Sequence, residues 1–134
     1  MLFRSVADTS RSDADRVLDA RRKPVEFLAF IDVRGGMTVA DLDAGGGYTT
    51  ELLARAVGAN GKVYAQNTRE AIERLKGRFD ERLRRPALAN VVHFVRPFDD
   101  PLPAEVRGLD LVTFIFGYHD TTFLPVDQIG RAHV

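Results

Sequence analysis

The sequence has no cysteine and no tryptophan among its 134 residues. Without cysteine, disulfides, thiolate metal sites and cysteine nucleophiles are all excluded. The chain also has no surplus charge, since 19 lysines and arginines balance 19 aspartates and glutamates. This balance argues against broad binding to nucleic acid or anionic membranes. No apolar run approaches the roughly 18 residues of a membrane-spanning helix, and the N-terminus lacks a secretory apolar segment. A cytoplasmic protein is therefore expected, with neither nucleic acid nor membrane as a partner.

The composition is that of one globular domain, with 45% hydrophobic and 28% charged residues. Residues 1–11 show little pattern and are expected to form a disordered tail. Residues 12–36 read as a helical segment, with one helix over 12–22 and a second that begins at Pro24. From residue 37 onward, predicted strands alternate with helices: strands at 37–42, 62–66, 91–95 and 109–116, and helices at 48–57 and from Thr68 to about Arg85. This alternation predicts βαβ units and a parallel sheet.

The fourth predicted strand is apolar on both faces, as expected of a central strand. The first strand can pair with one of its edges, but the residues that follow are too few to supply a second neighbour. We therefore expect an incomplete gene product whose native part ends near Gln128. Residues 129–134 are expected to be a non-native tail, because codons for this segment can spell a common sequencing adapter.

A glycine turn, Gly45-Gly46-Gly47, connects the first strand to the following helix. Glycines let a backbone approach a ligand closely, and the amides at a helix start favour anions. A plain strand-to-helix turn is the simplest alternative. A dinucleotide motif would place its third glycine at Thr50. An acid followed by spaced glycines fits better at Asp41, Gly45 and Gly47, although Asp43 occupies the first glycine position.

With this motif the chain resembles the class I S-adenosylmethionine-dependent methyltransferases, in particular a group of uncharacterised bacterial members. The shared features are the Asp15-Arg16 pair, the Arg22-Lys23-Pro24 segment, the helix over 47–54 and the Tyr118-His119-Asp120 segment. The resemblance implies a Rossmann-like doubly wound parallel sheet, of which residues 37–128 supply the first four strands. It also implies S-adenosylmethionine as cofactor and a small-molecule methyl acceptor.

The resemblance assigns cofactor-binding roles residue by residue. Asp41 would lie near the methionine end of the cofactor, and Gly45 and Gly47 would offer their backbone to its methionine and ribose. Asn67 occupies the position of the carboxylate that usually holds the ribose hydroxyls. The loop after the third strand, here Phe98-Asp99, would contact the adenine.

Two positions depart from the family pattern. Asp43 adds a Cβ and a negative charge where a glycine is usual, and Asn67 is a weaker acceptor than a carboxylate. Each change is expected to weaken cofactor binding, by about 1–3 kcal/mol.

The segment after the fourth strand supplies the candidate catalytic residues, since ligands of open parallel sheets bind at the carboxyl ends of strands. His119 would act as general base, Asp120 would orient it, and Tyr118 would line the acceptor pocket. The alternative is structural: Tyr118 packs, and His119 and Asp120 cap the next helix.

Other polar residues are expected to be structural. His93 reads as a packed or edge residue, and no spacing of histidines and acids predicts a metal site. The basic runs 21–23 and Arg82, Arg84, Arg85 read as solvated faces. Two further functions remain open beside methyl transfer: a non-catalytic or degenerate Rossmann-like binding domain, and a nicotinamide-dependent oxidoreductase.

Overall fold

A computed structural model describes residues 2–115 of the chain. Three helices precede the first strand, and strands and helices alternate after it. The elements are α1 Leu2–Ala7, α2 Asp13–Arg22, α3 Pro24–Phe30, β1 Thr38–Leu42, α4 Tyr48–Val57, β2 Lys62–Asn67, α5 Arg69–Leu75, α6 Arg78–Leu83, β3 Val91–Val95 and β4 Leu111–Phe114. The α/β class predicted from the sequence is confirmed.

The four strands form one parallel sheet in the order β3-β2-β1-β4. In its register, Asp41 of β1 lies between Ala65 of β2 and Thr113 of β4. The chain therefore winds outward in one direction through β2 and β3 and returns to the other side of β1 with β4. This is the Rossmann-like order expected from the resemblance, and ligands of such sheets bind where the winding direction reverses.

Two hydrophobic clusters cover the two faces of the sheet. On one face, α4 packs Leu52, Leu53 and Val57 against the valines of β1 and β2. On the other face, Ala40 and Leu42 contact the chain between β3 and β4 through its apolar residues Leu102 and Val106. Both faces of β1 are thus buried, which explains why its sequence is a continuous apolar run around Asp41.

The helix predicted from Thr68 to about Arg85 is two helices in the structure. Thr68 caps α5 as expected, since its hydroxyl accepts a hydrogen bond from the Ala71 amide at 3.1 Å. Lys76 and Gly77 then take left-handed backbone conformations, with φ of 51° and 85°. These two residues end α5 and turn the chain into α6, so the apolar stripe is shared between two short helices.

The N-terminal residues also differ from the sequence-based expectation. Residues 1–11 read as a disordered tail, yet α1 occupies Leu2–Ala7 and packs against α3 and α4. Arg11 is buried at 3% exposure and pairs through two hydrogen bonds with Asp19 of α2. Asp19 lies on the helix that begins two residues after Arg11, and the local hydropathy of the sequence does not reveal this ion pair.

Candidate functional site

The glycine turn connects the end of β1 at Leu42 to the start of α4 at Tyr48. It lies at the carboxyl end of the strands, where the winding direction of the sheet reverses. Asp43, Gly45 and Gly47 all have positive φ, at 54°, 61° and 93°. The Ala44 amide donates to the Gln66 carbonyl at 2.9 Å, and the Gly47 amide donates to the Ala44 carbonyl at 3.1 Å. These bonds close the turn against the end of β2.

The glycines of the turn have different environments. At Gly45 a Cβ would meet no atom within 4 Å, so this backbone faces open space. At Gly47 a Cβ would lie 2.7 Å from Cδ of Arg82 and 3.1 Å from the Phe79 ring. Gly45 therefore suits close approach of a ligand, whereas the missing side chain of Gly47 is required by packing against α6.

A cleft of about 670 Å³ opens above the turn, large enough for a nucleoside-sized ligand. Three of the predicted cofactor-binding residues line it, namely Asp41, Asp43 and Gly45, whereas Gly47 is not among its lining residues. The other walls come from α2, the start of α4, the α5–α6 region and the residue after β4, with side chains such as Asp15, Arg22, Tyr48, Arg74, Arg78, Arg82 and Ile115.

Asp41 lies at the base of the cleft and is almost fully buried. Its two carboxylate oxygens accept hydrogen bonds from the hydroxyls of Thr50, at 2.7 Å, and Thr113, at 2.8 Å. Burial raises the pKa of Asp41 to about 6, and the two hydroxyls only partly offset that increase. The carboxylate ties β1 to α4 and β4 at the point where the cleft begins.

Asn67, the expected ribose-binding residue, does not line the cleft. It is fully buried, and its amide oxygen accepts from the Gly45 amide at 2.8 Å. Its amide nitrogen donates to the Gly45 carbonyl at 3.3 Å and lies 3.2 Å from Nε2 of His93. In this structure Asn67 holds the glycine turn, and a ligand would meet it only after those bonds change.

The expected adenine-contacting residues also lie away from the cleft. Phe98 is buried and stacks on Phe114, with ring centroids 6.0 Å apart, while Asp99 is exposed to solvent. His93 packs against Phe79, with centroids 4.2 Å apart, and lies on β3 at one edge of the sheet, as a packed or edge residue should. Burial lowers the pKa of His93.

The expected catalytic residues Tyr118, His119 and Asp120 lie outside the described residues, as do Gln128 and the segment 129–134. Ile115, which directly follows β4, lines the cleft. The end of β4 therefore lies at the rim of the candidate site.

Sequence reasoning missed a largely buried cluster of charges beside the glycine turn, at one wall of the cleft. We call it the Arg82 cluster: Asp15, Glu51, Arg82 and Arg85. Arg82 binds both carboxylate oxygens of Asp15, at 2.6 and 3.0 Å, and Glu51 at 2.9 Å. Arg85 binds the same Glu51 oxygen at 2.6 Å. The prediction that these two arginines form a solvated face is wrong, while Arg84 between them is exposed. Their partners lie 31 to 67 residues away in the sequence, beyond the reach of helical periodicity.

Tyr48 forms the wall of the cleft on the side of the N-terminal helices. Its hydroxyl donates to Asp19 at 2.6 Å, and the guanidinium of Arg22 lies 4.7 Å from its ring centroid. Burial, together with this hydrogen bond to Asp19, raises the pKa of Tyr48. The phenol therefore stays protonated and serves as a fixed donor between α4 and α2.

Within residues 2–115, no group of three or more histidine or acidic side chains is placed to hold a metal ion. Among the helices of that same part of the chain, none combines the length and apolarity needed to cross a membrane.

Comparisons with known proteins agree on one class, although no family profile matches the sequence. The ubiquinone/menaquinone biosynthesis C-methyltransferase UbiE of Escherichia coli is 34% identical over 90 residues, which are 67% of this chain and 35% of that protein. The chain thus spans about a third of the length of such curated relatives.

Solved structures show the same relationship at the level of the fold. A S-adenosylmethionine-dependent methyltransferase from Aquifex aeolicus superposes with a TM-score of 0.63 and 26% identity, covering 82% of this chain and 60% of its own. An S-adenosylmethionine-dependent O-methyltransferase from Thermotoga maritima gives a TM-score of 0.56 at 21% identity, over 94% and 46% of the two chains. With its 3-2-1-4 parallel sheet and its acid-plus-glycine turn, the chain belongs to the class I S-adenosylmethionine-dependent methyltransferases.

Proposed function

We propose that this chain binds S-adenosylmethionine at the glycine turn and takes part in methyl transfer to a small-molecule acceptor. The observation that carries the proposal is Gly45, whose backbone has a positive φ and faces the open cleft beside Asp41 and Asp43. A turn of this shape at the reversal point of a parallel sheet suits a nucleoside-containing ligand. The methyltransferases of similar sequence and fold support the choice of this cofactor.

The residues at the turn fit part of the cofactor. Gly45 offers close approach, whereas Asp43 adds a side chain and a negative charge to the cleft. Asn67 is directed at the backbone of Gly45, so the ribose hydroxyls require another acceptor or a rearrangement of the end of β2. When bound, S-adenosylmethionine supplies a methyl group on a sulfonium. The protein then has to align that group with the acceptor, which supports catalysis mainly through proximity.

Catalytic roles belong to the segment after β4 in this proposal. His119 would accept a proton from the acceptor, Asp120 would orient the imidazole, and Tyr118 would line the acceptor pocket. Support comes from topology: β4 pairs with β1, and Ile115 at its end lines the cleft. Replacement of His119 by alanine should lower turnover and leave cofactor affinity nearly unchanged.

A calorimetric titration of the 134-residue chain with S-adenosylhomocysteine, and in parallel with NADH, tests the proposal. Saturable binding of S-adenosylhomocysteine, without binding of NADH, is the expected result. Binding of NADH alone would overturn the proposal in favour of the nicotinamide-dependent oxidoreductase.

A degenerate Rossmann-like binding domain is the second candidate, and the buried position of Asn67 favours it. An asparagine whose amide is hydrogen-bonded to the turn replaces the usual ribose-binding carboxylate. In that case neither ligand would bind in the titration, while circular dichroism would still show a folded α/β protein.

A further inference from the structure

Arg82 lines the cleft and also contacts the backbone of the glycine turn. Its Nε donates to the Gly46 carbonyl at 2.7 Å, and its Cδ occupies the space where a side chain at Gly47 would lie. One arginine from α6 thus makes a polar and a packing contact with two adjacent residues of the turn. Glycines have a wide range of allowed backbone angles, so the shape of the turn depends on contacts of this kind together with the hydrogen bonds to Gln66 and Asn67.

Two carboxylates fix the guanidinium that makes these contacts. Asp15 from α2 binds it through both carboxylate oxygens, and Glu51 from α4 accepts from the same Nη1 that donates to Asp15. The side chains of Asp15 and Glu51 are only 4% and 1% exposed, and that of Arg82 is 13% exposed. Ion pairs with this degree of burial and two-point geometry hold their partners in one orientation.

The negative charges of Asp15 and Glu51 are compensated by the arginines around them. Burial alone would raise the pKa of Asp15, but the hydrogen bonds and charge of Arg82, with Arg85 and Arg11 nearby, outweigh burial and lower it. Glu51 is in turn bound by Arg55 and Arg85 as well as Arg82. Asp15 therefore remains ionised, and the hydrogen bonds to Asp15 and Glu51 keep the guanidinium of Arg82 in one orientation.

We infer that Arg82 is a positioning residue for the glycine turn: it fixes the Gly46 carbonyl and the backbone of Gly47, while Asp15 and Glu51 fix Arg82. The affinity of the cleft for its ligand then depends on α2 and α6 through the turn, in addition to the side chains that both helices place on the cleft wall. The inference rests on the proposed function for the identity of that ligand. If the inference holds, the position of α2 and the affinity for the ligand are coupled. A ligand that binds the ordered turn then also favours the contacts of Asp15 and Arg82 that order it.

The Arg82→Lys variant tests this role, because lysine keeps the charge but lacks the planar fork that binds Asp15 and Gly46 together. Arg84→Lys is the matched control, since Arg84 is exposed at the end of the same helix. Two measurements are needed on the 134-residue chain: calorimetric affinity for S-adenosylhomocysteine, and hydrogen exchange of the turn amides without ligand. The amides of Gly45 and Gly47 are both hydrogen-bonded, so their exchange reports opening of the turn.

For Arg82→Lys we expect at least tenfold weaker binding and at least tenfold faster exchange at the two turn amides, with exchange in the strands unchanged. Arg84→Lys should match the parent chain in both measurements. Unchanged turn exchange would overturn the inference whatever the affinity, because Arg82 also lines the cleft and its replacement can weaken binding directly. A variant that lost stability everywhere would show faster exchange in β1 and β2 as well, which would assign Arg82 a structural role only.

Asp15→Asn provides a second variant if Arg82→Lys does not fold. It removes the charge that orients Arg82 and leaves the bond to Gly46 available, so a smaller effect, about threefold on affinity, is expected. Affinity and turn exchange equal to the parent would count against the inference. If the parent chain itself binds no S-adenosylhomocysteine, the proposed function fails, and the exchange measurement alone decides the role of Arg82.

Discussion

Asp43 has a left-handed backbone conformation, with φ of 54°, at the position where the family pattern has glycine. An L side chain in this conformation costs about 1–2 kcal/mol, while glycine carries an entropic cost of about half that. Asp43→Gly should therefore increase the free energy of unfolding by about 0.5–1 kcal/mol, as measured by urea denaturation. It should also tighten S-adenosylhomocysteine binding, since it removes a side chain and a charge from the cleft.

Lys76→Gly separates these two effects. Lys76 has nearly the same φ, 51°, but it ends α5 and does not line the cleft. This substitution should raise stability by a similar amount and leave ligand affinity unchanged. Equal gains in affinity for both variants would show that the effect at Asp43 reflects stability alone.

Asp41 makes stability depend on pH. Burial raises its pKa from 3.8 to about 6 in the folded chain, so the folded state binds the proton more tightly than the unfolded state. The stabilising contribution is complete below about pH 3.8 and is lost as the pH rises through 6. The shift corresponds to about 3 kcal/mol.

Asp41→Asn should remove this dependence, because an amide can accept from one threonine hydroxyl and donate to the other. Relative to the variant, the parent chain should lose about 2.5 kcal/mol of unfolding free energy between pH 4 and pH 7, most of the full shift. Urea unfolding across this range measures the difference. Asp32→Asn is a control at an exposed ion pair. A constant difference between parent and variant at all pH values would show that Asp41 titrates normally.

At the scale of the elements, local pattern predicted most of the βα units. The helix over 48–57 and the strand over 91–95 have the predicted bounds, and β1 and β2 differ from prediction by one residue at one end. In these segments the buried residues recur at regular helical or strand spacing, and this spacing is visible in the sequence. The division of the long helix at Lys76 was not visible, because a lysine in left-handed conformation has no distinctive sequence signal.

The candidate site was predicted less completely than the fold. The glycine turn and Asp41 follow from a motif, and the structure places both at the cleft. Asn67 was assigned by its position at the end of β2, but the direction of its side chain depends on competing partners at Gly45. The Arg82 cluster joins three helices that are far apart in sequence, so only the tertiary structure reveals it.

Gly47, where the glycine turn meets α4, can be used to test how tightly α6 packs on the turn. Gly47→Ala places a Cβ 2.7 Å from Cδ of Arg82, in addition to the backbone strain at φ 93°. Gly77 caps α6 with similar dihedral angles, φ 85° and ψ 0°, but a Cβ there meets nothing within 4 Å. Gly77→Ala should therefore cost only backbone strain, about 1 kcal/mol.

Gly47→Ala should cost about 2–4 kcal/mol, since displacement of Arg82 is added to the same strain. Thermal and urea unfolding of the two variants give the comparison. Equal losses for Gly47→Ala and Gly77→Ala would mean that Arg82 moves aside without cost, and would weaken the argument that it holds the turn.

At the scale of the whole molecule, the N-terminal helices and the sheet are joined through buried polar contacts. Arg11 is 3% exposed; it donates to the Val6 carbonyl and to both oxygens of Asp19. Asp19 also accepts from the Tyr48 hydroxyl at the start of α4. The segment before α2 is therefore linked through α2 to the Rossmann-like unit, and we expect the chain to unfold in one cooperative transition.

Arg11→Ala should lower the unfolding free energy by about 3 kcal/mol, because it leaves a partly buried Asp19 without its bidentate partner. Arg21→Ala, at an exposed position on α2, should change it by less than about 0.5 kcal/mol. Tyrosine fluorescence, sensitive to Tyr48, and far-ultraviolet circular dichroism should report the same midpoint for each variant. If Arg11→Ala instead leaves the main midpoint unchanged and produces a separate early transition, the N-terminal helices form an independent unit, and Arg11 stabilises only that unit.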